Sequence, residues 1–97
     1  EKFGSCKLPD TVADMVIIAS LLHQAENKDN IIKEAYRVLK TNGRLLVVEW
    51  NPDAIFGPPI EDRLNKEQVR KLLEHHGFRP VSELPAGTFH YAFLYQK

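Results

Sequence analysis

Residues 13–50 read ADMVIIASLLHQAENKDNIIKEAYRVLKTNGRLLVVEW and decide the fold. Two nearly unbroken apolar runs, Asp14–Ala19 and Leu45–Val48, flank a segment with helical spacing. Apolar runs that do not alternate with polar residues are typical of strands buried on both faces. Two such strands joined by a helix form a parallel pair with a right-handed crossover. Ligands of open α/β sheets bind beyond the carboxyl ends of the strands, so we expect function after Ala19 and after Val48.

Length and composition limit the classes to which the chain can belong. Its 97 residues make a single small domain. The 13 basic residues balance the 13 acidic ones, so no basic field favours nucleic acid or anionic lipid. No apolar run approaches the ~18 residues of a membrane helix. The single cysteine excludes an internal disulfide and favours a reducing compartment. We therefore expect a cytoplasmic α/β domain without nucleic-acid or membrane partners.

Two helices have clear boundaries in the sequence. The first is predicted to begin near Asn27 and to stop at the left-handed turn Asn42-Gly43. Its apolar positions recur with helical spacing: Ile31, Ile32, Ala35, Val38 and Leu39. The second is predicted to begin with a capping box at Asn65 and to stop at Gly77.

The C-terminal segment changes in character. Val81–Leu84 and Phe89–Tyr95 are predicted strands joined by the turn Pro85-Ala86-Gly87, which favours an antiparallel hairpin. Alternation in the last strand places its aromatic residues on one face and the residues between them on the other. The predicted order is therefore strand, helix, strand, helix and hairpin.

Several short motifs follow one another along nearly the whole chain. They are Gly4–Asp10, Ala13-Asp14, Ala19–His23, Lys33–Lys40, Asn42-Gly43 and His76–Phe78. The most specific combination is Glu-x-x-Arg-Val-Leu-Lys-x-x-Gly with a second helix that ends in Gly-Phe. With these motifs the chain resembles the C-terminal half of a class I S-adenosylmethionine-dependent methyltransferase, of the small-molecule group that includes the ubiquinone/menaquinone methyltransferases. The resemblance implies a Rossmann-like sheet in which these strands are the fourth to the seventh, the last one antiparallel.

The upstream features of that family do not occur in these residues. In the family a glycine-rich loop approaches the methionine part of the cofactor, and an acidic residue holds the ribose hydroxyls. Neither precedes Asp14–Ala19 here. That strand is apolar on both faces, yet the chain offers it a parallel neighbour on one side only, and such an edge invites pairing. We interpret residues 1–97 as the C-terminal part of a larger methyltransferase domain. The alternative is that the exposed edge pairs with a second copy, giving a homo-oligomer.

The resemblance implies S-adenosylmethionine as the cofactor and places its contacts on five residues. Ser5 and Cys6 would lie in the loop that lines the adenine. The family more often has an acidic residue at the position of Ser5, although a serine hydroxyl still forms hydrogen bonds. Ala19, Ser20 and Leu21 would line the methionine side, and the alternative for Ala19 and Leu21 is a place in the core. Cys6 has no neighbouring histidine, so it is not expected to be a nucleophile, and no metal site is predicted.

Three residues are candidates for contacts with the methyl acceptor. His23 follows the strand end by four residues, and an imidazole accepts a proton near neutral pH, so His23 is the candidate catalytic base. The alternative for His23 is a structural hydrogen bond. Glu49 would orient a polar or cationic substrate group and Trp50 would wall an apolar pocket, or else they are a solvated charge beside a packed indole. Gly57-Pro58-Pro59 is interpreted as part of a stiff substrate lid, and His75-His76 as capping and packing residues.

The predicted reaction transfers a methyl group from the sulfonium of the cofactor to an oxygen, nitrogen or carbon of a small molecule. Such a displacement depends mainly on alignment, with a base where the nucleophile must lose a proton. The 97 residues alone are expected to bind the cofactor weakly or not at all, without turnover. Two other classes remain: a noncatalytic α/β module that self-associates, and a doubly wound reductase with a nicotinamide cofactor. The reductase would need a Gly-x-Gly-x-x-Gly fingerprint, which the chain lacks.

Overall fold

The structure is a computed structural model that describes residues 9–20 and 22–97. Along these residues run β1 (Ala13–Ala19), α1 (Lys28–Val38), β2 (Leu39–Trp50), α2 (Lys66–His75), β3 (Arg79–Pro85) and β4 (His90–Gln96). The strands form one sheet in the order β1-β2-β4-β3. β1 and β2 are parallel, and β4 is antiparallel to both of its neighbours. The predicted α/β class, with parallel strands and a C-terminal hairpin, is confirmed. None of the described helices is long and apolar enough to cross a membrane.

One face of the sheet forms the hydrophobic core together with both helices. The register pairs Val16 with Leu45 and Ile18 with Val47, so the same alternate residues of β1 and β2 point inward. The aromatic residues of β4 continue this layer, as the alternation of that strand predicts. The buried cluster includes Val16, Ile18, Leu45, Val47, Tyr91, Phe93 and Tyr95 of the sheet, and Ile31, Ile32, Ala35, Val38, Val69 and Leu73 of the helices.

The opposite face of the sheet is only partly covered. Met15 and Ile17 of β1 are 48% and 60% exposed, and Leu46 and Val48 of β2 are half-buried. The prediction of a first strand buried on both faces therefore holds for one face of the described chain. The apolar side chains of the other face lie open to a further layer.

The start of α1 agrees with the sequence, and its end does not. Asn27 caps the helix by accepting a hydrogen bond from the Asn30 N–H at 2.9 Å. The helix ends at Val38 rather than at Asn42-Gly43, and Leu39 is already the first residue of β2. The predicted strand Leu45–Val48 is thus the second half of a longer one.

Main-chain donors just before β1 explain why α1 ends early. The Thr11 N–H donates to the Arg37 carbonyl at 3.0 Å, and the Val12 N–H donates to the Val38 carbonyl at 2.8 Å. The last carbonyls of a helix need partners, and these two donors supply them from another segment of the chain, in which Thr11 has a φ of 50°. Asn42, whose φ is 68°, instead lies in β2, beside the shift in its register with β1.

Both boundaries of α2 agree with the sequence. The Asn65 side chain accepts from the Gln68 N–H, and the Gln68 side chain accepts from the Asn65 N–H, each at 2.8 Å. Gly77 follows the helix at φ 93°. It allows the Phe78 N–H to donate to the Leu73 carbonyl at 3.2 Å, which is the hydrogen bond of a Schellman motif.

β3 is the outer strand on the side away from β1. All seven of its residues are exposed. Pro80 and Pro85 lack a main-chain N–H. Glu83 forms ion pairs with Lys66 and Arg70 of α2, which fasten this strand to the helix.

Replacing the cap of α2 should destabilise the fold. Asn65→Ala removes the acceptor for the Gln68 N–H, so we expect the free energy of unfolding to fall by about 1 kcal/mol. Urea unfolding followed by circular dichroism measures this loss. Asn65→Asp keeps an oxygen at the same place and should cost much less. Equal losses for the two variants would show that the side-chain acceptor is not the source of the stabilisation.

Candidate functional site at the carboxyl edge of the sheet

Three strands meet at one edge of the sheet. β1 ends there at Ala19 and β2 ends there at Trp50. β4 runs the other way and begins there with His90, which is paired with Trp50. We call this place the carboxyl edge, because it is formed by the carboxyl ends of the parallel strands, where ligands of open α/β sheets bind. The two segments in which the sequence predicts function are therefore brought together.

Ala19 is the last residue of β1, and Ser20 follows it. Ala19 is exposed and Ser20 is half-buried, so Ala19 is not a core residue. Ser20 has a φ of 54°, in the left-handed region that residues other than glycine seldom adopt. Its N–H still donates to the Val48 carbonyl at 2.8 Å, so the chain leaves the sheet at this residue. A small side chain and an exposed strand end suit the close approach of a ligand.

The other three residues predicted to contact a cofactor are Ser5, Cys6 and Leu21. All three lie outside the described residues. Their roles stay predictions.

His23 lies in a short 3-10 turn, Leu22–Gln24, that follows β1. Leu22 is completely buried and anchors the turn in the core. The imidazole Nδ1 lies 2.8 Å from Oε1 of Glu49, and the His23 side chain is 10% exposed. The predicted catalytic base therefore has a structural hydrogen bond as well as a place at the carboxyl edge.

Glu49 is buried rather than solvated. It shares the inward face of β2 with Leu45 and Val47, and its side chain is 0% exposed. Its Oε2 accepts from the Leu22 N–H at 3.1 Å, and its Oε1 accepts from the Trp50 N–H at 3.3 Å. The expectation of a solvated charge is wrong, because strand alternation turns this residue toward the helices. A direct contact of Glu49 with a substrate stays a prediction.

Tyr91 of β4 lies next to this buried charge. Burial raises the pKa of Tyr91 well above its usual range, and the charge of Glu49 raises it further. The phenol therefore stays neutral at physiological pH. Its O–H donates to the Leu64 carbonyl at 2.7 Å and so connects the carboxyl edge to the start of α2.

Trp50 faces the opposite side of the sheet from Glu49, since successive residues of a strand alternate. Its ring lies 4.2 Å from that of His90, centroid to centroid, at an angle of 43°. Gly57 lies against the same indole, where a Cβ would come within 2.7 Å of the Trp50 ring. The φ of Gly57 is 126°, so both space and conformation require glycine there.

Arg63 shapes the edge loop, which we define as residues 51–63. Its guanidinium donates to main-chain carbonyls all along that loop, at distances between 2.7 and 3.4 Å. The four acceptors are the carbonyls of Pro52, Ala54, Phe56 and Pro58. A planar group with five donors is suited to this task. The expectation of a stiff loop thus acquires a physical cause, while its role as a substrate lid stays a prediction.

An open groove of about 490 Å³ adjoins the carboxyl edge. It lies between the start of α2 and the turn that joins β3 to β4, and Asn51, His90 and Tyr91 are among its lining residues. The Asn51 side chain donates to the carbonyls of Thr88 and His90, each at 3.2 Å, and so holds the turn against the edge loop.

Several residues of this edge escape prediction from the sequence. His90 is assigned only to a face of the last strand, because its contact with Trp50 depends on the pairing of β2 with β4. The sequence assigns no role to Arg63, because its acceptors are main-chain atoms with no signature. The alternation of Leu45, Val47 and Glu49 is a signal that would have placed the Glu49 carboxylate on the buried face.

Outside the carboxyl edge, His76 joins the two helices. Its Nε2 lies 2.8 Å from Oδ1 of Asp29, in the first turn of α1. His76 also provides the C-cap of α2, with its N–H bound to the Leu73 carbonyl.

The sequence matches a known family over its first half. Residues 2–47 match the family described as a methyltransferase domain. The ubiquinone/menaquinone biosynthesis C-methyltransferase UbiE of Vibrio campbellii is 40% identical over 78 residues, which are 80% of this chain and 27% of that protein. The chain matches 27% of the length of that relative, and 17% of the UbiE protein of Hydrogenovibrio crunogenus.

Solved structures share the fold. A SAM-dependent methyltransferase from Aquifex aeolicus superposes with a TM-score of 0.88 at 23% identity, over 99% of this chain and 52% of that one. The 1,6-didemethyltoxoflavin-N1-methyltransferase of Burkholderia thailandensis was solved with bound 1,6-didemethyltoxoflavin and S-adenosylhomocysteine. It superposes with a TM-score of 0.73 at 17% identity, over 98% of this chain and 48% of that one. At such identities the likeness is one of fold.

Removing the Arg63 guanidinium should release the edge loop. In Arg63→Ala the four carbonyls lose a shared donor, and we expect a loss of about 1–3 kcal/mol of stability. The single tryptophan, Trp50, lies against Gly57 of this loop, so its fluorescence should shift to longer wavelength as water reaches the indole.

The control for this prediction is Arg44→Ala, which removes an exposed arginine of β2 outside the loop. It should leave the emission maximum of Trp50 unchanged. Arg63→Lys should resemble Arg63→Ala, because an ammonium cannot span four carbonyls. Unchanged emission in Arg63→Ala would show that the loop keeps its shape without the guanidinium.

Proposed function

We propose that this chain is part of an enzyme that methylates a small molecule. The chain has the fold of the class I S-adenosylmethionine-dependent methyltransferases, and it is a sequence relative of the ubiquinone/menaquinone group. The observation that carries the proposal is the 40% identity to a C-methyltransferase over 80% of the chain. The carboxyl edge supports it independently, since an exposed strand end, a histidine and an aromatic pair meet at the place where such folds bind ligands.

The chain serves in this proposal as the C-terminal half of a larger catalytic domain. Within the described sheet β1 is hydrogen-bonded on one side only, to β2. Met15 and Ile17 leave an apolar face beside that open edge. A flat apolar edge strand favours pairing with a further strand. An upstream half of the same domain would both pair with β1 and cover these side chains.

The end of β1 fits the methionine part of S-adenosylmethionine. Ala19 presents only a methyl group, and Ser20 turns the chain away from the sheet, so the strand end is accessible. By the family resemblance Leu21 would also line the methionine part, and Ser5 and Cys6 would line the adenine. When bound there, the cofactor would supply an electrophilic methyl group from its sulfonium and would leave as the neutral thioether. The chain's own residues bind and align the two reactants.

The acceptor in this proposal is a small aromatic molecule that is methylated on carbon. The name of the Vibrio campbellii relative, a ubiquinone/menaquinone biosynthesis C-methyltransferase, supports this choice. Trp50 and His90 bring two rings together at the carboxyl edge, tilted at 43° to each other, and aromatic faces favour an aromatic partner. His23 takes the proton that the acceptor loses. We expect the enzyme to act in the cytoplasm, where a lone cysteine stays reduced.

A second candidate function is self-association of the chain as a noncatalytic module. The same open edge of β1 and the exposed Met15 and Ile17 favour it. Sedimentation velocity at micromolar concentration distinguishes it from the first. A dimer that dissociates in Ile17→Lys would support self-association. A strict monomer would exclude strand-edge pairing between copies.

Cofactor binding tests the proposed function and the need for an upstream half. Isothermal titration of the 97-residue chain with S-adenosylhomocysteine should give no micromolar binding, because in this proposal an upstream half supplies further contacts to the cofactor. A longer protein that carries the upstream half should bind. In that protein Ala19→Leu should weaken binding by at least about tenfold, since a larger side chain obstructs the strand end, a loss of ~1.4 kcal/mol.

Thr41→Leu is the matched control, because Thr41 is exposed near the other end of β2. It should bind as the unchanged protein does. Micromolar binding by the 97 residues alone would show that the upstream half is dispensable. If the longer protein did not bind S-adenosylhomocysteine, the methyltransferase proposal would be wrong.

A further inference from the structure

Among residues 9–20 and 22–97, two histidines are each paired with a carboxylate. His23 with Glu49 and His76 with Asp29 each have a nitrogen-to-oxygen distance of 2.8 Å. They differ in burial, because the Glu49 side chain is 0% exposed and that of Asp29 is 69% exposed. Water competes for the Asp29 oxygens and not for those of Glu49. The pair of His23 and Glu49 is therefore the one in which a proton is held at a fixed atom.

The neighbours of Glu49 determine where that proton lies. Each of its oxygens already accepts from a main-chain N–H, Oε2 from Leu22 and Oε1 from Trp50. A carboxylate that only accepts hydrogen bonds suits two such donors, and the third neighbour, Nδ1 of His23, must then donate as well. The hydrogen-bond network thus assigns the proton of the neutral imidazole to Nδ1.

The other nitrogen of His23 is left with its lone pair. Nε2 has no hydrogen-bond partner among residues 9–20 and 22–97. In that part of the chain no buried side-chain nitrogen or oxygen lacks a partner, so Nε2 reaches solvent. An imidazole whose inner nitrogen donates to a buried carboxylate, and whose outer nitrogen is open, is ready to accept a proton.

We propose that Glu49 is a positioning residue that holds His23 in the Nδ1–H tautomer, with Nε2 directed to the carboxyl edge as the proton acceptor. The role of His23 as a base rests on the proposed function, whereas its tautomer rests on geometry alone. The inference replaces direct contact of Glu49 with a substrate. The same carboxylate fixes the turn that carries His23, through the Leu22 N–H, and so ties the end of β2 to the segment after β1.

The tautomer can be measured on the 97-residue chain without cofactor or substrate. Nitrogen-15 correlation spectra of the histidine rings distinguish Nδ1–H from Nε2–H. At a pH where the ring is neutral, His23 should carry its proton on Nδ1. In Glu49→Gln the one amide oxygen should accept from the Leu22 N–H, the shorter of the two main-chain contacts. The amide NH₂ then faces Nδ1, and the proton should move to Nε2.

Asp29→Asn is the matched control, because it makes the same chemical change in the other pair. It should alter the ring signals of His76 and leave those of His23 unchanged. An Nε2–H ring at His23 in the unchanged chain would overturn the inference, and this result does not depend on whether any variant folds. An unaltered tautomer in folded Glu49→Gln would overturn it too.

The kinetic consequence is measured in the longer enzyme. A ring that already carries its proton on Nε2 cannot accept another at that nitrogen, so Glu49→Gln should lower kcat by about 100-fold or more with KM little changed. Asp29→Asn should leave kcat unchanged. Full kcat in Glu49→Gln would overturn the positioning role. Absence of methyl transfer in the unaltered enzyme would count against the proposed function, while the ring spectra would still decide the tautomer.

Discussion

The parallel pairing of β1 with β2 is the interaction on which the rest of the structure depends. It aligns Val16 with Leu45 and Ala19 with Val48, so one face of both strands becomes core and both carboxyl ends finish at one edge. The segment that leads into β1 also supplies the donors that end α1. Glu49 reaches His23 only because the two strand ends lie side by side. The helices depend largely on nearby residues of the sequence, but the carboxyl edge depends on the register of β1 with β2.

The features that the sequence predicts are those that depend on interactions between residues close together in the chain. The capping box at Asn65, the stop at Gly77 and the hairpin each depend on a few neighbouring residues, and the sequence predicts them. The end of α1 depends on main-chain donors from Thr11 and Val12, more than 20 residues away, so the Asn42-Gly43 signal was misleading. The contact of His23 with Glu49 joins residues 26 apart in the chain. Sequence places both at the edge but cannot show that they meet.

Adjacent residues of β2 give the carboxyl edge two sides of different character. Glu49 turns inward and meets the turn that carries His23, so that side holds a charge shielded from water. Trp50 turns outward and meets His90 and the edge loop, so that side holds aromatic faces on a backbone fixed by Arg63. In the proposed enzyme the proton acceptor and the aromatic rings would therefore lie on opposite faces of β2, beside neighbouring residues of the strand.

The two outer strands of the sheet differ in whether a further strand can pair with them. β3 combines Pro80 and Pro85, which cannot donate from the main chain, with charges paired to α2, and such an edge resists further strands. The edge of β1 has no such protection among the described residues. If two copies paired through β1, the open edge of each sheet would be hydrogen-bonded. Only the β3 edges, which resist further pairing, would then remain exposed. Association would therefore end at a closed, two-fold pair, and the chain would be protected from extending into fibrils.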